Sequence, residues 1–270
     1  MTPPALVTGA HPLGPIRATL DAMAARPDIP ALPGLVPGLT IHETKDWVPA
    51  SALTSGERLD EMLAAAQARW RATPHAAAAL AWKSYTYWLT LPAVLGYAAA
   101  RRVPLLRPQQ VLVQWSDHQP FLVVGLTSVE VAVLPTDPLA VSEPGAGEVI
   151  LVADERELLA TLRSSIVDEH LAPMLDQIQR RLRIGRRTLW GSLASGVAHG
   201  LSRGADVLPG SILATATEIL TALGVADLVD LAPERHGRGL EVQRRTCCLA
   251  FTLPEPKICT GCCIRRIGIE

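Results

Sequence analysis

The chain has 270 residues, 49% of them hydrophobic and 19% charged, which is enough to bury a large core beside a small appendage. A formal net charge of -1 gives no bulk attraction to nucleic acid or to an anionic membrane surface, so neither is expected as a partner. Of the 25 basic residues only Lys45, Lys83 and Lys257 are lysines.

From Met1 to Ile16 there is no basic region followed by an apolar run, so no secretory leader is expected and the chain reads as cytoplasmic. Ile16 to Ala25 has helical composition and stops before Pro27. Pro30, Pro33, Gly34, Pro37 and Gly38 then mark a wrapped loop reaching Trp47, with a short strand around Leu39 to His42. A helix follows from Ser55, an N-cap with Arg58 in the place of the usual acidic partner. Its apolar face is Leu59, Met62, Leu63, Ala66 and Trp70. His75 to Ala100 reads as the central helix, apolar nearly all round and broken or kinked near Pro92. Its uncharged part, Ser84 to Ala100, is shorter than the ~20 residues a bilayer span needs, so no membrane span is expected.

Val111 to Val113, Phe121 to Leu126, Val129 to Leu134 and Val149 to Val152 read as short strands of an antiparallel sheet. Thr127-Ser128 would close a hairpin, and Glu143 to Gly147 form a flexible tract. Asp154 caps a helix with Glu157 three residues on. Leu171, Leu175, Ile178 and Leu182, then Leu189, Leu193, Val197 and Leu201, describe two amphipathic helices joined at Gly185; a third runs from Ser211 to Leu223 and stops at Gly224. Pro233 to Gly239 reads as a linker. The fold class is therefore α+β: a mainly helical domain, 1–232, with a small antiparallel sheet, and a small C-terminal lobe, 233–270.

All five cysteines fall in that lobe, at Cys247, Cys248, Cys259, Cys262 and Cys263. Four thiolates suit a soft centre, either tetrahedral zinc or an iron-sulfur cluster. The Cys259-Thr260-Gly261-Cys262 turn serves zinc, clusters and redox pairs alike. Adjacent Cys247 and Cys248 are less common: in a strand their sulfurs would diverge, so the chain must bend there. Zinc sites draw ligand pairs from C-x(2 to 4)-C spacings, whereas a two-iron cluster is longer than one ion and accepts diverging neighbours. The spacing leans toward [2Fe-2S], with a zinc-binding interaction module as the alternative. An odd cysteine count argues against a disulfide framework.

Arg244-Arg245-Thr246-Cys247-Cys248-Leu249, then Pro254, then Lys257-Ile258-Cys259-Thr260-Gly261-Cys262, resemble the C-terminus of the FhuF-like ferric-siderophore reductases. Arg187-Thr188-Leu189-Trp190-Gly191 resembles that family's Trp-Gly element. The resemblance implies a [2Fe-2S] cluster on Cys247, Cys248, Cys259 and Cys262. It also implies one-electron reduction of Fe(III) held by a siderophore, of hydroxamate type, with the electron drawn from an external donor such as a ferredoxin or a flavin reductase. Cys263 lies just past the motif, where no ligand is implied. An iron-sulfur relay or sensor is a further alternative.

The rest of the chain carries no G-x-G-x-x-G, G-x-x-x-x-G-K-[ST] or G-x-S-x-G motif, so no dinucleotide site, P-loop or nucleophile elbow is signalled. The seven histidines show no paired metal spacing. Arg180, Arg181, Arg183, Arg186 and Arg187 precede Trp190. Arg235, Arg238, Arg244 and Arg245 precede the cysteines, and Arg265 and Arg266 follow them. Guanidinium groups beside an anionic cluster would raise its potential or dock an acidic donor, and Arg244 and Arg245 are the nearest in sequence. Trp82, Tyr85 and Trp88 are candidates to line a siderophore pocket.

Overall fold

The computed structural model describes residues 11–27, 32–117, 119–141 and 148–264. The first ten residues, Pro30, His118, the Glu143 to Gly147 tract, Arg265 and Arg266 lie outside the described residues.

Helix α1 (Gly14–Ala24) buries Ile16 and Met23. After it come β1 (Leu35–Thr40), β2 (Val48–Pro49), α2 (Ala50–Thr54) and α3 (Leu59–Trp70). Ser55 does not cap α3 as expected. It ends α2 in right-handed geometry, and its hydroxyl donates back to the Ala52 carbonyl at 3.3 Å, which leaves Arg58 at the α3 cap position.

The centre is α4 (Pro74–Ala100), which begins where the Thr73 side chain accepts from the Ala76 N–H and ends at Arg101 in the left-handed region. It runs unbroken through Pro92, so of the break or kink expected there the break does not occur. A proline inside a helix costs ~3 kcal/mol. Here the helix is enclosed by α1, α3 and later helices, and packing of this kind, rather than propensity, decides whether a helix persists.

The strands β3 (Val103–Pro104), β4 (Val111–Trp115), β5 (Leu122–Leu126), β6 (Glu130–Val133) and β7 (Glu148–Leu151) form two sheets, ordered β1-β5-β4-β2 and β3-β6-β7. Both are mixed rather than purely antiparallel, because β1 pairs with β5 and β6 pairs with β7 in parallel. Each parallel pair is separated by a long return: α2 to α4 lie between β1 and β5, and residues 134–147 lie between β6 and β7. The hairpin expected at Thr127-Ser128 does not form. Both edges of β5 are occupied, by β1 and by an antiparallel β4, so β6 joins the other sheet.

Helix α5 (Glu155–Arg163) starts as read: Asp154 Oδ1 accepts from the Glu157 N–H at 2.8 Å, and Glu157 Oε2 accepts from the Ala153 N–H at 2.7 Å. A π-helical stretch, Ser164–Leu171, leads into α6 (Ala172–Arg181). It buries His170 completely, between the Leu106 carbonyl and the Tyr85 hydroxyl. Since a carbonyl can only accept, Nδ1 carries the proton and Nε2 accepts from Tyr85. Gly185 precedes α7 (Arg186–Arg203), and Ser211 caps α8 (Ile212–Ala222), which Gly224 terminates at φ +71°.

Strands β8 (Val229–Pro233) and β9 (Leu240–Arg244) pair antiparallel along their whole length. The Pro233 to Gly239 tract is therefore the loop of a hairpin, and residue 232 lies within that hairpin. Helix α7 packs along α4 on one side and touches β8 and β9 on the other, which sets the place of the cysteines.

Candidate functional site

Thr246 and Gly261 anchor the cysteine segment to the helical body. A Cβ on Gly191 in α7 would stand 1.8 Å from Thr246 Oγ1 and 2.8 Å from its Cβ, so only glycine admits Thr246 against the helix. Thr246 immediately precedes Cys247. One turn of α7 is fixed alongside: Trp82 Nε1 donates to the Leu189 carbonyl at 2.8 Å, and Trp190 meets Trp82 edge-on at 5.9 Å. The Trp-Gly element is thus the seat on which the first cysteine pair rests.

Gly261 has φ +70°, and a Cβ there would reach within 1.8 Å of the Val242 carbonyl oxygen. Its own carbonyl accepts from the Arg244 N–H at 2.8 Å, docking the C-x-x-C turn onto β9. The Cys262 N–H donates to the Cys259 carbonyl at 3.1 Å and closes that turn. Between the anchors the chain reverses. The bend expected at Cys247-Cys248 occurs at Leu249, at φ 62°, and the Lys257 N–H returns to the Ala250 carbonyl at 3.1 Å.

This path brings all five thiols into one neighbourhood, including Cys263. Cys259 acts on Cys248, and Cys247 acts on Cys263. Cys248 and Cys262 are buried, and Cys247, Cys259 and Cys263 are half-buried. The Cys259 hydrogen bond pulls the Cys248 pKa down, assisted by Lys83, the Ala250 N–H and Arg244, and it pushes Cys259 up. Burial raises Cys247 and Cys263. Among the described residues no group of three or more His, Cys, Asp or Glu side chains is arranged to hold a metal ion.

The surroundings nevertheless suit an anionic, thiolate-bound centre. Backbone N–H groups point at two sulfurs: Leu249 donates to Cys247 Sγ at 3.3 Å and Ala250 to Cys248. Arg244 is 2% exposed, and among the described residues its guanidinium bonds only neutral oxygens, Thr246 O at 3.2 Å and Ser192 Oγ at 3.1 Å. A buried cation without a carboxylate is costly unless an anion stands near, and among the cysteines its charge favours the thiolate of Cys248, whose pKa is lowered. The buried Thr246 hydroxyl likewise has no hydrogen-bond partner among the described residues. Donor chemistry, an unbalanced cation and an orphaned hydroxyl all fit the group that the spacing suggests.

The other candidates separate cleanly. Arg245 turns away from the sulfurs to Asp230, and Arg186 and Arg187 pair with Asp176 and Asp227. Arg181 clasps Asp60 and the Gly56 carbonyl, and Arg238 caps the Leu208 and Gly210 carbonyls. Trp82 and Tyr85 are core residues, whereas Trp88 is half-buried against Gly34 and Tyr87. Sequence reasoning missed Lys83 and Thr246. Lys83 is one of only three lysines and interrupts the apolar face of α4, which is a signal; Thr246 gave none.

A family model described as ferric iron reductase FhuF-like transporter matches residues 80–214, half of the chain. That span runs from α4 into α8 and includes Lys83, Trp190 and Gly191, but ends before the cysteines. No curated protein matches the chain.

Proposed function

The chain belongs to the ferric iron reductase FhuF-like family, and we propose that it is a ferric-siderophore reductase whose Cys247, Cys248, Cys259 and Cys262 hold a [2Fe-2S] cluster. The observation that carries this reading is Arg244, a buried guanidinium near the thiols with no carboxylate among the described residues to balance it. The lobe 233–270 supplies the ligands and the body 1–232 supplies the seat.

When bound, such a cluster passes one electron at a time, which is what Fe(III) needs to become Fe(II). Siderophore oxygens, here of the hydroxamate type, hold the harder Fe(III) far more tightly, so the gained electron releases the metal. The external donor loses that electron. A ferredoxin or a flavin reductase fits, since the chain carries no dinucleotide fingerprint of its own.

The chain's residues have separable tasks. Arg244 opposes the build-up of negative charge that accompanies reduction, and the Leu249 and Ala250 N–H groups do the same at Cys247 and Cys248. Cys248 and Cys262 face inward while Cys247 and Cys259 are half-buried, so the outer pair is the side from which an electron can leave. A cytoplasmic location accords with a donor of this kind, and among the described residues no helix is long and apolar enough to cross a membrane.

The test is an anaerobic preparation assayed for iron, sulfide and zinc, for the EPR signal after dithionite, and for Fe(II) release from ferric hydroxamates. Two irons and two sulfides per chain with chelate turnover are the expected result. Stoichiometric zinc without sulfide overturns the cluster, and a reducible cluster that leaves every ferric siderophore untouched leaves only a relay or sensor.

A further inference from the structure

A cleft of about 360 Å³ lies between α4 and α7, and none of its lining residues is acidic. Half-buried Lys83 opens into it beside Ser84 and Tyr87, with Trp70 on one wall and Ser195 and His199 on the other. Among the described residues no carboxylate pairs with the Lys83 ammonium. The cleft and the cysteines share a wall. Ser192, which lines the cleft, accepts from Arg244, and the charge of Lys83 acts on both Cys248 and Cys259.

We propose that this cleft is the binding site for the ferric chelate and that it selects chelates carrying a free carboxylate, which Lys83 receives. The proposal deepens the reductase reading and rests on it. A wholly neutral trihydroxamate complex offers Lys83 nothing, whereas a mixed citrate-hydroxamate chelate presents an anionic arm together with its iron. Tyr87 and Trp70 supply flat apolar surface for the ligand backbone, and Ser84 supplies a hydroxyl. His199 stands exposed at the mouth. The surrounding protein first, then the charges of Lys83 and Arg244, lower its pKa, and its ring offers a hydrogen-bonding group there. The electron path follows from the shared wall: an iron bound here lies next to the sulfurs, and the arm that orients it is held by a residue on α4 rather than by the cysteine segment.

The experiment uses Ga(III), which these conditions do not reduce, so that binding is read apart from turnover. The cluster-containing protein is titrated calorimetrically with the Ga(III) complex of a citrate dihydroxamate and with that of a neutral cyclic trihydroxamate. The carboxylate-bearing complex is expected to bind about tenfold or more tightly at low salt, since a charge-assisted hydrogen bond of ~1.5–3 kcal/mol is at stake. Lys83→Gln should remove that preference, weakening the carboxylate-bearing complex about tenfold more than the neutral one, and Lys83→Arg should retain it. Equal binding of the two complexes, no binding of either, or an equal loss for both in Lys83→Gln overturns the site. Preferred binding without reduction of the Fe(III) form would sink the reductase reading and leave the cleft standing; reduction without preference would do the reverse.

Discussion

Replacing Gly191 with alanine places a methyl group where Thr246 now sits. The new Cβ would stand 1.8 Å from Oγ1, 2.8 Å from Cβ and 2.9 Å from Cγ2 of Thr246. Normal contact requires roughly 3.4 Å or more, so the Thr246 side chain must retreat by about 1.5 Å. It cannot do so by a rotamer change alone, because its Cβ is among the obstructed atoms. The backbone has to move, and it is tied on both sides of Thr246, through the Arg245 N–H to Leu228 O at 3.0 Å and the Arg244 N–H to Gly261 O at 2.8 Å. Overpacking of this kind costs ~1–3 kcal/mol, and more when backbone shifts. Alanine regains about 1 kcal/mol of helix propensity in the middle of α7. The net expectation is a loss of about 1–2 kcal/mol in urea unfolding, with iron and sulfide per chain falling more steeply than stability because the displaced residues lead directly into Cys247. Thr246→Ala removes two of the three obstructing atoms, so the double variant should recover part of both losses, with a coupling of ~0.5 kcal/mol or more. Should Gly191→Ala instead be as stable as the parent and fully loaded, Gly191 would be an ordinary helix residue and the seat described for the first cysteine pair would be wrong.

Arg244→Met removes a buried, unbalanced cation. The metal-free protein should be no less stable, while the cluster potential should fall by roughly 60–120 mV, taking ~1.5–3 kcal/mol for a charged interaction and ~59 mV per 1.4 kcal/mol for one electron; redox titration followed by EPR reads it. His170 is held neutral by burial, with its pKa lowered to about 4 from an unfolded value of 6.5. A depressed histidine is protonated first in the unfolded chain, so stability is lost as pH falls from 6.5 toward 4, at up to ~1.4 kcal/mol per unit and about 3 kcal/mol in all. Urea midpoints of the metal-free protein between pH 7 and 5 should show that slope, and His170→Gln should flatten it; an unchanged slope assigns the acid sensitivity elsewhere. Cys263→Ser should leave iron and sulfide content within error of the parent, whereas serine at Cys247, Cys248, Cys259 or Cys262 should abolish it. If Cys263→Ser alone empties the site, the ligand set is different.

What could be read from the chain was whatever depended on neighbours in sequence. The Asp154 cap, the Gly185 break and the Ser211 start needed only local chemistry, and each stands where the pattern put it. Strand partnership was not legible. Val129 to Leu134 reads as the natural mate of Phe121 to Leu126, and nothing local says that β1, more than eighty residues away, already occupies that edge. Pro92 misled in the same way, since the packing that keeps α4 continuous is tertiary. At the site, the cysteine spacing carried the chemistry, but the role of Gly191 required knowing that Thr246 lies against it, and the difference between Arg244 and its neighbour Arg245 is one of side-chain direction. The family match covers residues 80–214 and ends before the cysteine segment, so the two features lie in different parts of the chain.

The two anchors of the cysteine segment also bear on how a metal would be acquired under the reading proposed above. In small zinc modules the unbound chain is unfolded, and much of the metal's binding energy is consumed in closing the loop that bears the ligands. Here the ends of the span from Thr246 to Gly261 are already fixed to α7 and β9 by close backbone approaches, and the Lys257 to Ala250 hydrogen bond folds its middle. On the cluster reading, loop-closure entropy would be met by the protein's own contacts, and the affinity for the metal would be set by the sulfurs and the charge beside them. Removing the metal should accordingly leave a folded, empty acceptor that can be refilled.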